Sequence, residues 1–487
     1  MKVINRQQAN YCPYPPAFKY FMMMKIPLIL FCFVSMAFLG GSQVYAQPDT
    51  LRVMAYNVLG YGQFNPCQGP DSKYNAYLDT IVQFANPDII GLEKMGSIQT
   101  SPTDFAYDAP IGFQDSILQY ALNLAFPGRF NYCMNTNFSG SNTECLVFYN
   151  QHKLGYLGIV CAYNSGAGNE DFDTYKFYYL DPNLPTTHDT TFLYVTDNHD
   201  ISGSSNQALR GAQIAGEMTD IKNHFTHLAN MINMGDFNVR NTSEPVYQTL
   251  TNPADTNFRY YDPPFNPDHN LSYPADWDGN PGAFTSYLTT STRVSATLPN
   301  ACGTSGGGKN WYDHIFLSPW IINNANYISY SSHSYRTIGN DGHRLSRSVN
   351  DLPANTSAPT SVINSLFQMS NKYPVMVDLL LWPNTTGTSL PDPEIVPSAV
   401  AGNIGVEEHI VVVNPVGSEL IINCSSGLNS KTLSLICTDM LGRLMIREQV
   451  QPDNGLIHIP CKLVQGIYFL NVSEAGKVVS QTVLRKE

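Results

Sequence analysis

The chain has 487 residues, a formal net charge of −12 and only 14% charged residues. Such acidity repels a phosphate backbone unless a local basic patch or bound cations offset it, and no Lys/Arg run is long enough to form a nucleic-acid arm. A hydrophobic fraction of 43%, with 29 Tyr, 35 Gly and 32 Pro, fits a strand- and loop-rich secreted protein better than a helical one.

In chain order, the first element is a leader. Lys25 precedes an apolar stretch from Ile26 to Leu39, and Val44 and Ala46 give a small-residue cleavage pattern. The stretch is too short for a membrane span. Residues 1–21 read as an upstream extension before "MMMK". With no second long apolar run, a soluble mature protein is expected.

The main body alternates strand and helix patterns. "TLRVMAYNVLGYG" reads as a strand, "YLDTIVQFA" as an amphipathic helix and "PDIIGLEKM" as a buried strand. "DSILQYALNLAF" is helical, while "ECLVFYN" and "TFLYVTDNHD" are strands. "ALRGAQIAGEMTDIKNHF" is a helix, with Arg210 expected on its surface, leading into the strand of "NMINMGDFN". The mixed order predicts α/β layers, with strands packed as a sandwich and helices outside.

Residues 383–403 are rich in Pro, Thr, Ser and Gly, lack periodicity and read as a linker. Beyond it, residues 404–487 hold about seven short strands separated by turns, the pattern of a small β-sandwich. Of ten cysteines, Cys12 and Cys32 fall in or before the leader, five in the main body (Cys67, Cys133, Cys145, Cys161 and Cys302) and three near the end (Cys424, Cys437 and Cys461). There is no CxxC to suggest zinc. Export permits disulfides, but the two odd-numbered groups leave pairing open.

Polar residues gather where the strands end: Asn57, Asp88, Glu93, Lys94, His199, Asp236, Asn238, Asp313 and Ser370–Lys372. Asp236 and Asn238 lie two apart, so on an extended chain they aim at one point. Carboxylate and amide oxygens suit a hard divalent cation, and a histidine can shuttle a proton. "GTSGGGKN", residues 303–310, nearly spells a phosphate loop but lacks the Ser/Thr, the preceding strand and the following helix, and reads as a plain loop.

In this order the motifs resemble the endonuclease/exonuclease/phosphatase superfamily. "MAYNVLGYG", "PDIIGLEKM", "TDNHDISGSSN", "MGDFNVR", "YDHIFLSP" and "MSNKYPV" stand where that family has its motifs, and "MGDFN" is the most specific match. The resemblance, over residues 50–382, implies a four-layer, deoxyribonuclease-like α/β sandwich and a Mg²⁺-dependent (or Mn²⁺- or Ca²⁺-dependent) phosphodiesterase mechanism. It implies Asn57 and Glu93 as metal residues and His199, Asp236, Asn238 and Asp313 as catalytic ones. The implied substrate is a phosphodiester, nucleic acid first and a phospholipid headgroup second, acted on by a monomer.

The chain departs from the family at two places. Lys94 stands at the metal-binding Glu and Glu93 one residue earlier, which should turn Glu93 away unless the strand bulges. Asn371 and Lys372 replace an Asp-His pair, and a protonated lysine is no base. Lys94 is expected to neutralise Asp236 and Lys372 to pair with Asp313, with Asp341 and His343 as alternative loop substitutes. The function expected is an eroded secreted nuclease-like hydrolase, the alternative a pseudoenzyme that binds a ligand or partner at the cell surface.

Residues 404–487 resemble the C-terminal sorting domain of the type IX secretion system of Bacteroidota, on the Asn414-Pro415 turn, Asp439/Gly442, Gly466-Ile467-Tyr468 and the closing Lys/Arg pair. This implies passage across the outer membrane by that machinery and release or attachment at the surface.

Overall fold

The computed structural model describes residues 47–61, 72–96, 113–133, 135, 143–165, 171–295, 303 and 305–395, and, from 410 to 486, the strands and part of their connections. The leader, Cys67, Cys302, Asn414, Pro415 and Gly442 lie outside the described residues. Two compact units divide between Ile395 and Val396.

The first unit is a four-layer α/β sandwich. One sheet joins β1 (Asp49–Tyr61), β2 (Ile89–Gly96), β3 (Phe130–Tyr132), β4 (Thr143–Asn150), β10 (Ile328–Tyr330) and β12 (Val375–Leu381) in the order β10-β12-β1-β2-β4-β3, with β11 (Arg336–Thr337) also on β12. The other runs β5 (Leu154–Asn164), β6 (Asp171–Tyr179), β7 (Phe192–His199), β8 (Met231–Asp236) and β9 (Asp313–Leu317) in chain order.

Strand alternation builds the layers. On β1, Leu51, Val53 and Ala55 face the core shared with the second sheet. Met54, Tyr56 and Val58 face the opposite core, packed on α1 (Ser72–Ala85) and α4 (Thr360–Met369). Helix α1 offers Leu78, Ile81, Val82 and Ala85 at helical spacing, and α4 offers Val362, Ile363 and Leu366. On the far side, α2 (Gln207–His224) buries Ile214, Met218 and Ile221, and α3 (Pro245–Thr251) buries Val246 and Leu250.

Two expectations change here. Arg210 is not a surface residue. It is fully buried on α2, where its guanidinium meets Glu244 at 2.8 Å and the carbonyls of Ile201 and Gly203. The expected linker, 383–403, is also not all tether, because residues 383–395 pack on the first unit. Lys176 pairs with Asp392 at 2.7 Å and with Glu394, Tyr194 bonds Asp392, and Asn384 bonds Asp189. A Pro-rich composition had hidden these side-chain anchors.

The second unit is a β-sandwich. Strands β13 (Ile410–Val412), β14 (Glu419–Cys424) and β17 (Leu456–Pro460) form one sheet. Strands β15 (Leu433–Asp439), β16 (Leu444–Val450), β18 (Gly466–Glu474) and β19 (Lys477–Lys486) form the other, in the order β16-β15-β18-β19. Leu420, Ile422, Leu433, Leu435, Leu470 and Val472 fill the space between them. Cys133, Cys161, Cys424, Cys437 and Cys461 are free thiols.

Candidate functional site

The tips of the central strands of both sheets meet. Asn57 on β1 pairs with Glu93 on β2, and Asp236 on β8 lies opposite His199 on β7 and Asp313 on β9. Two acids directly across an antiparallel pair repel. A cation must offset them, and Lys372 does.

Its Nζ lies 2.7 Å from Asp236 Oδ2 and 3.3 Å from Asp313 Oδ2, and 4.9 Å from the centroid of the Tyr312 ring. The loop after α4 is pinned for this. Ser370 Oγ donates to the Asn57 carbonyl at 2.7 Å and accepts from the Lys372 N–H at 3.1 Å. Burial opposes the Lys372 charge, but the two carboxylates outweigh it and hold its pKa above the ordinary value. The side chain therefore stays an ammonium.

The pairing expected from sequence is half corrected. Lys372 meets Asp313 as expected, yet it, not Lys94, also neutralises Asp236. Lys94 sits half-buried with φ +53°, at the irregularity where β2 slips against β1 and β4. Glu93, expected to turn away unless the strand bulged, faces inward, and the strand does bulge beside it. Glu93 follows Ile89 and Gly91 on the inter-sheet face and is fully buried. The bulge at Lys94 then reverses the phase, so that Met95 falls in the helix-side core.

Facing Glu93 is Asp197, which the sequence reading missed. Its position two before His199, on the same strand face, was the available signal. Among the described residues these two carboxyls find no side-chain partner except each other, and the Asn198 N–H acts on Asp197. Burial first, then their mutual repulsion and the nearby Asp313 and Asp236 charges, pushes Glu93 well above the carboxylate range; burial also pushes Asp197 up. Asp313 is raised to about 7 by burial and by Asp236, against the pull of Lys372. Asp236 goes the other way: burial would raise it, but Lys372, His199 and the Asn57 amide outweigh burial and lower it.

Other expected residues keep their place but change their role. Asn57 turns Nδ2 to Asp236 at 2.9 Å and gives its oxygen to the Leu59 N–H, so it offers the centre a donor and no metal-binding oxygen. Asn238 adopts a left-handed φ of 48°, which asparagine tolerates. It donates its side-chain amide to the Asp200 carbonyl and its N–H to Asp236 Oδ1. It therefore braces the turn that aims Asp236. Asp88 lies at the opposite end of β2, bonded to Arg52, Asn150 and Lys153. Asp341 is held by Arg344, and His343 is exposed, so neither replaces the lost pair.

The donors present fit a hard cation. Among the described residues Oδ1 of Asp313 makes no hydrogen bond and Glu93 and Asp197 have no side-chain partner but each other; once ionised, these oxygens would form a hard set of the kind Mg²⁺ takes. Lys372 already holds one of these acids, Asp313, and its neighbour Asp236.

No protein-family model matches the chain, and no curated protein does. Among solved structures it is similar to the human Nocturnin catalytic domain with bound sulfate, at 14% identity and a TM-score of 0.40, covering 69% of this chain and 96% of that one. It is similar to truncated Caenorhabditis elegans TDP2 at 12% identity and a TM-score of 0.40, over 68% of this chain and 98% of that one. It is also similar to an endonuclease/exonuclease/phosphatase from Beutenbergia cavernae at 12% identity and a TM-score of 0.36, over 89% and 99%. Likeness at this level transfers no chemistry to these side chains.

Proposed function

We propose that this chain is a secreted phosphodiesterase-type hydrolase by descent, whose strand-tip centre binds a phosphate ester and cleaves it weakly or not at all. The observation that carries the reading is the Lys372 ammonium wedged between Asp236 and Asp313. The motif order supports the descent, and the geometry supports the loss. A lysine held above its ordinary pKa accepts no proton from water, so the nucleophile has no base at this place. Glu93, with Asp236 and Asp313 beside it, would hold Mg²⁺, which would polarise the phosphoryl oxygens when bound. Lys372 opposes that binding by charge repulsion.

The substrate class is a phosphodiester, nucleic acid before phospholipid headgroup, met outside the cell by a monomer. Export would run through the C-terminal β-sandwich and the type IX machinery. Plasmid degradation with Mg²⁺, stopped by a chelator and by Asp236→Ala, would establish residual enzyme activity. Mg²⁺-dependent oligonucleotide binding without cleavage, lost in Asp236→Ala, would establish the pseudoenzyme. Turnover near the ~10 s⁻¹ of ordinary enzymes would contradict the reading.

A further inference from the structure

Away from the strand tips, α2 packs against the edge strand β5 and brings three ligating side chains together. Cys161 of β5 and Asp220 and His224 of α2 each offer an atom within 4.8 Å of the others. We infer that these residues form a zinc-type site, Cys-Asp-His with one open position, that clamps α2 to the sheet edge.

The chemistry of the donors selects the metal. A thiolate, an imidazole and a carboxylate suit a borderline-soft ion such as Zn²⁺ and not Mg²⁺ or Ca²⁺. Ligand atoms around a tetrahedral zinc lie about 3.3–3.8 Å apart, so the three, within 4.8 Å, need draw in by at most about 1–1.5 Å. Asp220 and His224 are spaced i,i+4, which places both on one helix face. His224 Nδ1 lies 3.6 Å from Asp220 Oδ1 and 2.9 Å from the Asp220 carbonyl. The ring can keep that second bond and present Nε2, the usual outer support of a ligating histidine.

Two further observations point to a missing cation. Glu217, one turn earlier on the same helix face, is 1% exposed. Its Oε1 accepts from Asn233 at 2.7 Å, but among the described residues its Oε2 has no donor. Among the described residues Asp220 Oδ2 makes no hydrogen bond either, although the Ala162 N–H acts on that carboxyl. Second, the charged groups that act on the Cys161 side chain are Asp220, Glu217 and Asp173, all acids. A divalent ion bound among these acids would offset their charge, taking Cys161 as thiolate with its proton released to solvent. Half-exposed His224 and Asp220 leave the way in from solvent.

The test is Co²⁺ and Zn²⁺ titration of the full-length, reduced protein. One equivalent of Co²⁺ should give tetrahedral d–d bands with a thiolate charge-transfer band, and Zn²⁺ should displace it. Cys161→Ser should abolish the charge-transfer band, and His224→Gln, which removes a direct ligand, should weaken Zn²⁺ binding by more than the ~10–100-fold that loss of an outer-shell partner costs. Circular dichroism of each variant separates ligand loss from misfolding. The inference is overturned if the charge-transfer band survives in a folded Cys161→Ser, or if no band forms. It is equally overturned if Zn²⁺ binding is lost in Asp236→Asn but kept in His224→Gln, which would assign the ion to the strand tips.

Discussion

Lys372 Nζ and Asp236 Oδ2 stand 2.7 Å apart in the buried centre where both sheets end. The pair is charge-assisted and shielded from water, so its loss is costly. Lys372→Met should destabilise the protein by about 3–5 kcal/mol without added metal, because Asp236 and Asp313 are then left facing each other. Millimolar Mn²⁺ should recover much of that loss in the variant and little in the unaltered chain, since the ammonium no longer opposes the ion. Urea melts with and without Mn²⁺ read this out; equal Mn²⁺ effects in both proteins would count against it.

The acids around Lys372 also set a pH dependence. In chelator, folded Asp313 keeps its proton up to about pH 7, whereas an unfolded aspartate loses it near pH 4. The folded state therefore binds more protons in that window. Its contribution is fully present below about pH 4 and is lost as pH rises through about 7. Glu93 and Asp197, also raised, act in the same direction. Asp236, depressed, contributes the opposite sign, lost only as pH falls below the ordinary aspartate value. Asp313→Asn should flatten the decline between pH 5 and 7.5; a slope as steep as in the unaltered chain would remove Asp313 as its source.

Much of this centre was legible in the sequence because strand tips carry their chemistry in local order. "MGDFN" gave Asp236 and Asn238, and "SNK" gave Lys372. The register was not legible. Counting from a family motif turned Glu93 outward, while the phase actually set by Ile89 and Gly91 turns it inward, and a bulge at Lys94 absorbs the extra residue. Asp197 stayed hidden because its meaning depends on Glu93, on the other sheet. Arg210 read as surface because its partner Glu244 lies 34 residues away.

Arg210 supplies a prediction of its own. Arg210→Ala leaves Glu244 buried at 1% side-chain exposure without its guanidinium, and should cost about 3–5 kcal/mol. Arg210→Ala/Glu244→Ala together should cost less than the sum of the two singles. Additive losses in denaturant melts would mean that the two residues do not act as a pair.

The segment 383–395 should resist proteolysis in the native protein, because Asp392 and Glu394 are tied to Lys176. Lys176→Ala should open new cleavage sites within those residues, mapped by mass spectrometry of the fragments. Cleavage there in the unaltered chain would contradict the packing described.

The most direct measurement compares phosphodiester cleavage and Mn²⁺ affinity in the unaltered protein and in Asn371→Asp/Lys372→His. Removing the ammonium and supplying an imidazole held by a carboxylate should tighten Mn²⁺ binding and raise cleavage together, by about 10²-fold or more for a restored general base. Either single change should do little, since the groups act as a unit. Tight Mn²⁺ binding and full cleavage in the unaltered chain, with no gain in the double variant, would contradict the claim that Lys372 has taken the place of the base and opposes the metal.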